Sequence, residues 1–275
     1  ATWRRRRATR LSPHPPFLRR RMELLPDAGH PIPRDLVLHL LEDADHKPLA
    51  VVWSWPCHPL TTGDLYAVSA DFPGLLRERL RAHLGRADLP VLYAPGFCGD
   101  LRPAITTAGL SPRSALRYPL YAGMLPIFRR PDRAAQSALA DTLWQGMSRL
   151  IEAPARPVPA GTRLATAVLP APALRHEDAT AGEVPVALCT LGGLTVLGLG
   201  AEVSALHTGA LAALLPENAI LTGCAGQTLG YMPADRQIPE GGYEVAGFRE
   251  GFSLVGQWQP GIDAALARTV EGLCR

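Results

Sequence analysis

Apolar residues recur along the chain with two periods, and these periods predict strands and helices that interleave. Runs or alternations of apolar residues predict strands, and apolar residues every three or four positions predict helices. The predicted strands are 35–42, 49–55, 90–94, 164–169, 184–190, 194–199 and 219–222. The predicted helices are 72–84, 133–152, 203–215 and 262–273. The expected fold class is therefore α/β, with α+β as the alternative, built on a mixed β-sheet core flanked by helices.

The first predicted helix has clear sequence signals at both ends. Asp71 is expected to cap its N-terminus, because a carboxylate there can accept the unpaired backbone N–H groups. Gly85 is expected to end it, since glycine tolerates the left-handed conformation that follows many helices. Leu76, Leu80 and Leu84 share one face and predict the side that packs into the core.

Residues 1–34 show neither period and are predicted to be an irregular segment rich in arginine and proline. The chain begins with Ala1 rather than Met, so we expect this segment to be the remnant of a longer N-terminal part. Residues 35–275 are expected to form a single domain. The arginines at 4–7 and 19–21 are typical of a nucleic-acid or anionic-membrane arm, or of a solvated edge. No aromatic residue lies among them, which favours the solvated edge.

Composition narrows the class of protein further. The 275 residues are 47% hydrophobic and carry a formal net charge of only +3, so nothing in the overall charge calls for nucleic acid. The five cysteines lack C-x-x-C spacing, which argues against a disulfide framework and favours a reducing, cytoplasmic setting. The longest apolar run, 184–199, is interrupted by Pro185 and three glycines, so the sequence predicts no transmembrane segment.

Polar residues follow several of the predicted strands, where open α/β sheets place their sites. The stretches are CHP at 57–59, GFCGDLRP at 96–103, GAE at 200–202 and GYMPADRQIPEGGYEV at 230–245. His58 is either a ligand or base, or a histidine that merely bonds to the backbone. Glu202 ends a buried strand, where an unpaired charge would be costly. A histidine, a glutamate and a tyrosine from separate strand ends can bind zinc and activate a water for hydrolysis.

The order and spacing of these stretches, together with SADFPG at 69–74, resemble the catalytic domain of the neutral/alkaline non-lysosomal ceramidases, and especially their bacterial members. The resemblance extends with gaps from about Arg19 to the last helix. It implies that 35–275 is a ceramidase-like catalytic domain with one zinc ion. The implied ligands are two histidines, a glutamate and a tyrosine.

The resemblance assigns roles to particular residues. His58 matches the second histidine ligand, Glu202 the glutamate and Tyr231 the tyrosine. Tyr243 matches a second tyrosine that contacts the substrate carbonyl. An arginine that reaches the substrate is matched by Arg20, with Arg19 as the alternative register. The first histidine ligand has no match, because the context is wrong at all four earlier histidines, 14, 30, 39 and 46. We expect that ligand to lie upstream of this chain.

The nucleophile is the other departure from the family. Ceramidases carry a serine where this chain has Arg102 in GDLRP, and arginine stays protonated at neutral pH. Either zinc-bound water attacks directly, with Asp100 or the upstream histidine positioning it, or the substrate differs. A guanidinium at this position suits a substrate carboxylate or phosphate. Cys98 is either an alternative nucleophile or a buried, inert thiol.

Three functions follow from these patterns. The first is a zinc-dependent hydrolase of an amide (N-acyl) or related bond, acting on a small-molecule or lipid-like substrate. The second is a non-catalytic ceramidase-like binding or scaffold protein, which Arg102 favours but the retained histidine, glutamate and tyrosines oppose. The third, ranked last, is binding of nucleic acid or an anionic surface through the arginines, with an affinity that falls steeply with salt.

Overall fold

The computed structural model describes residues 2–11, 20–27, 31–64, 66–107, 127–128, 130–154 and 161–275, with backbone alone at 2–11, 20–25, 27, 107 and 127. The strands are β1 Thr2–Leu11, β2 Arg20–Asp27, β3 Val37–Glu42, β4 Pro48–Trp55, β5 Val91–Pro95, β6 Leu101–Pro103, β7 Thr106–Thr107, β8 Ile127–Phe128, β9 Thr162–His176, β10 Ala181–Leu191, β11 Leu194–Leu199, β12 Glu202–Val203, β13 Ile220–Thr222, β14 Tyr231–Met232 and β15 Leu254–Gly256. The α-helices are α1 Asp71–His83, α2 Arg133–Glu152, α3 Thr208–Ala212 and α4 Ile262–Cys274. Helices and mixed sheets interleave, which confirms the predicted α/β class.

The larger sheet has the strand order β13–β11–β10–β9–β15. Strands β9, β10 and β11 form an antiparallel meander, and β13 joins it parallel to β11. Alternate residues of β10 are buried, as expected for a sheet with one covered face. Helix α4 covers that face, and Leu197, Leu199, Leu266 and Val270 belong to the resulting core.

A second sheet has the order β3–β4–β5, and its two parallel strands are joined through α1. Helices α1 and α2 pack against each other. The core between them and the sheet contains Trp53, Phe72, Leu76, Leu80 and Met147. The apolar stripe predicted for α1 is thus confirmed at Leu76 and Leu80, which are fully buried.

The prediction of an irregular segment at 1–34 is wrong over much of its length. Strands β1 and β2 form an antiparallel pair, and β1 also pairs with β6. A segment rich in arginine can form a strand when neighbouring strands supply its backbone hydrogen bonds. The β-propensity of the residues is easily overridden in that context. The prolines at 13, 15 and 16 lie outside the described residues. The domain boundary at 34/35 stays a prediction.

Asp71 does not cap α1 as an ordinary N-cap residue. It is the first residue of the helix, in a left-handed conformation with φ of 51°. Its carboxylate does accept from the N–H of Phe72 in the first turn, at 2.7 Å. It also accepts hydrogen bonds from the backbone and hydroxyl groups of Thr61 and Thr62. The other boundary is confirmed, since Gly85 follows the helix with a φ of 65°.

The helix predicted at 203–215 is confirmed in its middle and wrong at its ends. Val203 belongs to β12, whose register places it opposite Met232. Helical structure then begins with a 3₁₀ turn at Ala205–His207, capped by the Ser204 hydroxyl, and continues only through the short α3. Pairing with a distant strand outweighs the local helical pattern here.

The two sheets meet at the ends of β4, β5 and β13. Gly96, just after β5, forms an isolated bridge with Thr222 of β13. The Thr222 hydroxyl donates to the carbonyl of Pro95 at 2.8 Å, and Gly99 N–H donates to the Val203 carbonyl at 2.7 Å. These bonds bring CHP, GFCGDLRP and GAE to one seam.

Within the described residues, none of the helices combines the length and apolar character that a membrane crossing needs.

Candidate active site

His58 and Glu202 meet at this seam although they are 144 positions apart. Nε2 of His58 lies 2.8 Å from Oε2 of Glu202, and both side chains are partly buried. His58 stands just beyond β4, and Glu202 begins β12 after the buried strand β11. The convergence required by the sequence interpretation is therefore present for these two residues.

The two ring nitrogens of His58 face different partners, and these partners determine where the ring carries its hydrogen. Nδ1 lies 3.0 Å from the carbonyl oxygen of Leu101, and a carbonyl only accepts, so Nδ1 carries the hydrogen. In the neutral ring Nε2 then holds a lone pair aimed at an anionic carboxylate oxygen. At 2.8 Å the pair is therefore joined by a proton, carried on Nε2 or on the carboxylate. A histidine whose second nitrogen bonds to a backbone carbonyl is the usual arrangement of a metal ligand.

The end of β4 that carries His58 is held by a buried phenol. The hydroxyl of Tyr93 is 2.9 Å from the carbonyl oxygens of both Trp55 and Cys57. Burial raises the pKa of Tyr93 well above its usual value, so the phenol stays a donor. The thiol of Cys57 donates to the carbonyl of His58 at 3.3 Å. These bonds fix the backbone from which the imidazole projects.

Tyr231 joins the pair through the backbone. β12 and β14 run parallel, with Glu202 opposite Tyr231, so their side chains lie on the same face. The N–H of Glu202 also donates to the Gly230 carbonyl at 2.7 Å. The ring of Tyr231 lies nearly parallel to that of His58, at 17° and 6.5 Å between centroids. The three residues assigned to the metal therefore lie side by side.

Tyr243 lies on the open side of Tyr231. The two rings meet edge to face with 5.2 Å between centroids. Gly241 and Gly242 precede it with φ of 67° and 87°, a backbone that other residues rarely adopt. Tyr243 begins a π-helical turn, Tyr243–Gly247, a rare element that is frequent at functional sites. Tyr231 is buried whereas Tyr243 is 43% exposed, so only the second faces incoming molecules.

Asp100, close to His58 along GFCGDLRP, is fully buried. One carboxylate oxygen accepts from the N–H of Ala205 at 2.8 Å, and the other accepts from the side-chain amide of Gln237 at 3.1 Å. The residue thereby ties GFCGDLRP to the 230–245 loop. These contacts position the site, and the water-positioning role suggested by the sequence stays a prediction. Cys98 is buried as well, which favours an inert thiol over a nucleophile.

Arg102 lies in β6, close to the His58 end of β4. Its guanidinium carbon is 4.9 Å from the ring centroid of Phe128, a cation–π contact. Burial raises the pKa of Cys57 well above its usual value, and the positive charge of Arg102 opposes that rise in part. Arg20 begins β2, opposite Leu11, and its side chain lies outside the described part of the chain, as does Arg19.

Among the described residues, no group of three or more histidine, cysteine, aspartate or glutamate side chains is arranged to hold a metal ion. His58, Glu202 and Tyr231, three of the four ligands that the resemblance implies, lie together, and their binding of zinc stays a prediction. His39 bonds to the carbonyl of Asn218 instead, and His46 lies beside Glu42 on the surface.

Sequence reasoning missed Tyr93 and Gln237, which hold the site without facing it. Tyr93 has the signal of an ordinary apolar strand residue, and Gln237 that of a polar loop residue. Gln237 is buried, accepts from Ala234 N–H and donates to Asp100. Their roles depend on which distant backbone groups they meet, and the sequence pattern carries no signal for that.

The fold of this chain is similar to that of proteins with solved structures. One similar structure, described as a ceramidase complexed with C2, has a TM-score of 0.63 and 12% sequence identity, covering 88% of this chain and 48% of the other. Another, the neutral ceramidase from Pseudomonas aeruginosa, has a TM-score of 0.61 and 13% identity, covering 99% of this chain and 51% of the other. The chain spans about half the length of each. No protein-family model and no curated protein matches the sequence. The fold of this chain is therefore similar to that of these two ceramidases over about half of their length.

Proposed function

Because the chain has the fold of the ceramidases, we propose that it is a zinc-dependent hydrolase of an amide (N-acyl) or related bond. The observation that carries this proposal is the contact of His58 Nε2 with Glu202 Oε2, at 2.8 Å. An imidazole nitrogen and a carboxylate oxygen that converge from distant strand ends, with the ring of Tyr231 beside them, are ligand types that suit zinc. The substrate we propose is a small-molecule or lipid-like N-acyl compound.

His58, Glu202 and Tyr231 would hold the zinc ion, together with a ligand from outside this chain's described residues. When bound, such an ion would supply Lewis-acid polarisation of the carbonyl and would lower the pKa of a bound water. The Leu101 carbonyl keeps the proton of His58 on Nδ1, so Nε2 stays available as a ligand.

Tyr243 acts on the substrate in this proposal. Its ring packs edge to face on Tyr231 and is 43% exposed, so a substrate can reach it. Its hydroxyl donates to the substrate carbonyl oxygen and stabilises the negative charge that develops there. Arg102 does not attack the carbonyl, because a guanidinium remains protonated. It instead favours substrates that carry a carboxylate or phosphate.

The metal assignment is tested by zinc content. Glu202→Gln keeps the size of the side chain but removes the anionic ligand, so the zinc affinity should fall by at least about 100-fold. The matched control is Glu183→Gln on an exposed position of β10. Zinc is measured by elemental analysis after dialysis against a weak chelator. Zinc retained at full stoichiometry by Glu202→Gln would contradict the ligand assignment.

The second candidate is a non-catalytic binding protein, favoured by the arginine at the nucleophile position. A panel of neutral and anionic N-acyl substrates, assayed with and without added zinc, separates the two functions. The hydrolase predicts zinc-dependent turnover that falls about 10²–10³-fold in Tyr243→Phe, the usual loss of one oxyanion donor. The binding protein predicts no turnover of any substrate by the zinc-loaded protein.

A further inference from the structure

Strand β9 forms a long edge of the larger sheet. On its outer side, β15 pairs with β9 at Leu174, Arg175 and His176. The part of the chain that the structure describes supplies no strand for the outer side of residues 162–172. A row of backbone N–H and C=O groups without partners at a sheet edge is a template for pairing with another strand.

The register with β10 shows which backbone groups of β9 point outward. Val168 lies opposite Pro185, whose carbonyl accepts from the N–H of Gly200 at 2.8 Å on the far side of β10. Because Pro185 has no N–H, Val168 forms no hydrogen-bonded pair with it, and the N–H and C=O of Val168 point away from β10. Every second residue repeats this orientation, namely Thr162, Leu164 and Thr166.

This outward row of four residues is uncharged and has defined ends. Leu164 and Val168 are 67% and 52% exposed. Pro170, the next position in the row, has no N–H and ends the series of donors. Gly161 precedes the row with φ of 126°, which is not a strand conformation. Exposed edges are usually blunted by charges or by short strands, and the outward row of β9 has neither.

The one charged side chain within 162–168 is engaged elsewhere. The guanidinium of Arg163 donates to the carbonyl of Leu273 at 2.8 Å and to that of Cys274 at 3.4 Å. These carbonyls belong to the C-terminal end of α4, where a cation also suits the helix dipole. Arg163 is therefore held by the helix and does not guard the edge.

We propose that β9 pairs with β9 of a second copy of this chain, antiparallel and about a twofold axis at Ala165, so that two larger sheets become one. Thr162 then lies opposite Val168 of the second copy, and Leu164 lies opposite Thr166. Each of these pairs exchanges both backbone hydrogen bonds, so the whole outward row is used. Twofold dimers are the commonest protein assemblies, and they require a surface that complements itself.

The side chains also complement each other in this register. Arg163 lies opposite Ala167 of the second copy, so no like charges face each other. On the exposed face, Leu164 lies diagonally to both Leu164 and Val168 of the second copy, which removes apolar surface from water. A peptide that adds to a sheet edge gains specificity from pockets for alternate side chains, whereas Leu164 and Val168 protrude. These features favour a second copy as the occupant.

Light scattering after size-exclusion chromatography tests the assembly. The wild type should have twice the 29.5 kDa mass of one chain. Thr166→Pro removes an outward N–H and spares the hydrogen bonds to β10, so it should be monomeric. Leu164→Lys brings like charges together near the axis and should weaken the dimer at least about tenfold. The matched control is Leu92→Lys, a 58% exposed position at the edge of the other sheet, which should stay dimeric.

A cysteine at the proposed axis tests the register. In Ala165→Cys the two copies face each other in a pair whose Cα atoms lie about 4.5 Å apart, within disulfide range. Diamide oxidises the two thiols to one disulfide and takes up their two electrons and two protons. This variant should form a covalent dimer faster than the wild type, whose five cysteines set the background. Ala167→Cys is the control, because Ala167 lies opposite Arg163 in this register.

A monomeric wild type, a dimer that survives both edge variants, or equal cross-linking at 165 and 167 overturns the proposal. Thermal melts check that each variant is folded, and Leu164→Lys changes only an exposed side chain if the proline variant does not fold. In a monomeric wild type, hydrogen exchange identifies what occupies the edge. Protected amides at Leu164 and Val168 would assign it to another segment of this chain, and freely exchanging amides would leave it to a different partner. The dimer does not depend on the proposed hydrolysis, so each can fail without the other.

Discussion

His207 is a buried residue whose two ring nitrogens face different partners. Nε2 lies 3.2 Å from the carbonyl oxygen of Pro233, and Nδ1 lies 3.6 Å from a carboxylate oxygen of Asp263. The carbonyl fixes the hydrogen on Nε2. The pKa of His207 is lowered by burial, and Asp263 opposes the shift only in part. The folded protein therefore holds this imidazole neutral.

The lowered pKa makes stability depend on pH. Below the ordinary value of 6.5 the unfolded chain binds a proton that the folded chain does not, so the free energy of unfolding falls as the pH drops. The slope contributed by His207 is at most about 1.4 kcal/mol per pH unit, and it ends at the lower folded-state pKa. Stability above pH 6.5 is unaffected by this group.

We expect His207→Gln to remove this slope, as measured by urea unfolding at a series of pH values. Glutamine can still donate to the Pro233 carbonyl, so the variant should fold. The exposed His46→Gln serves as the control and should keep the wild-type pH profile. Identical profiles for wild type and His207→Gln would show that burial does not depress the protonation of this ring.

The sequence identifies a candidate site residue when that residue type is uncommon at its position in a strand or turn. Glu202 after a buried strand and His58 between a strand end and a proline are such cases, and the structure brings them together. It does not identify Tyr93, because a buried tyrosine in a strand is ordinary. What makes Tyr93 important is its bond to the Cys57 carbonyl, which depends on the parallel pairing of β4 with β5.

At the scale of elements, prediction succeeds where local pattern and tertiary packing agree. α2 has the predicted bounds, and its buried residues follow one face. Residues 203–215 show the opposite case, because the pairing of β12 with β14 takes Val203 out of the helix. β1 was missed because its arginines hide the strand pattern, while its partners β2 and β6 supply the hydrogen bonds.

The connection from β4 to α1 depends on the carboxylate of Asp71. We expect Asp71→Asn to lower the free energy of unfolding by about 1–3 kcal/mol, because an amide nitrogen would face donors from Thr61 and Thr62. Asparagine tolerates the left-handed conformation, so the change isolates the hydrogen bonds.

Asp178→Asn is the matched control for this change. Asp178 caps an exposed turn through Thr180, and the substitution should cost less than about 0.5 kcal/mol. Urea unfolding measures both variants. Equal losses of stability would mean that the hydrogen bonds of Asp71 contribute no more to the free energy of unfolding than those of Asp178 in an exposed turn.

At the scale of the whole molecule, the candidate site lies where two separately packed cores adjoin. One core gathers around α4 and the larger sheet, the other around α1, α2 and β4. The sequence predicts most of the elements of both but not the order of their strands, because parallel neighbours such as β11 and β13 are separated by other elements. The seam follows from that strand order. The motifs therefore predict which residues belong to the candidate site, but they do not predict how those residues are arranged.

The pairing of β12 with β14 makes the chain unequally tolerant of changes in length. A residue added to the loop between α3 and β13 would lengthen a connection and leave Glu202 opposite Tyr231. A residue added between Gly230 and Tyr231 would turn the phenol to the opposite face, because side chains in strands alternate. Inherited insertions can therefore accumulate in the loop between α3 and β13. Directly before Tyr231, in contrast, a single added codon would separate the tyrosine from the glutamate.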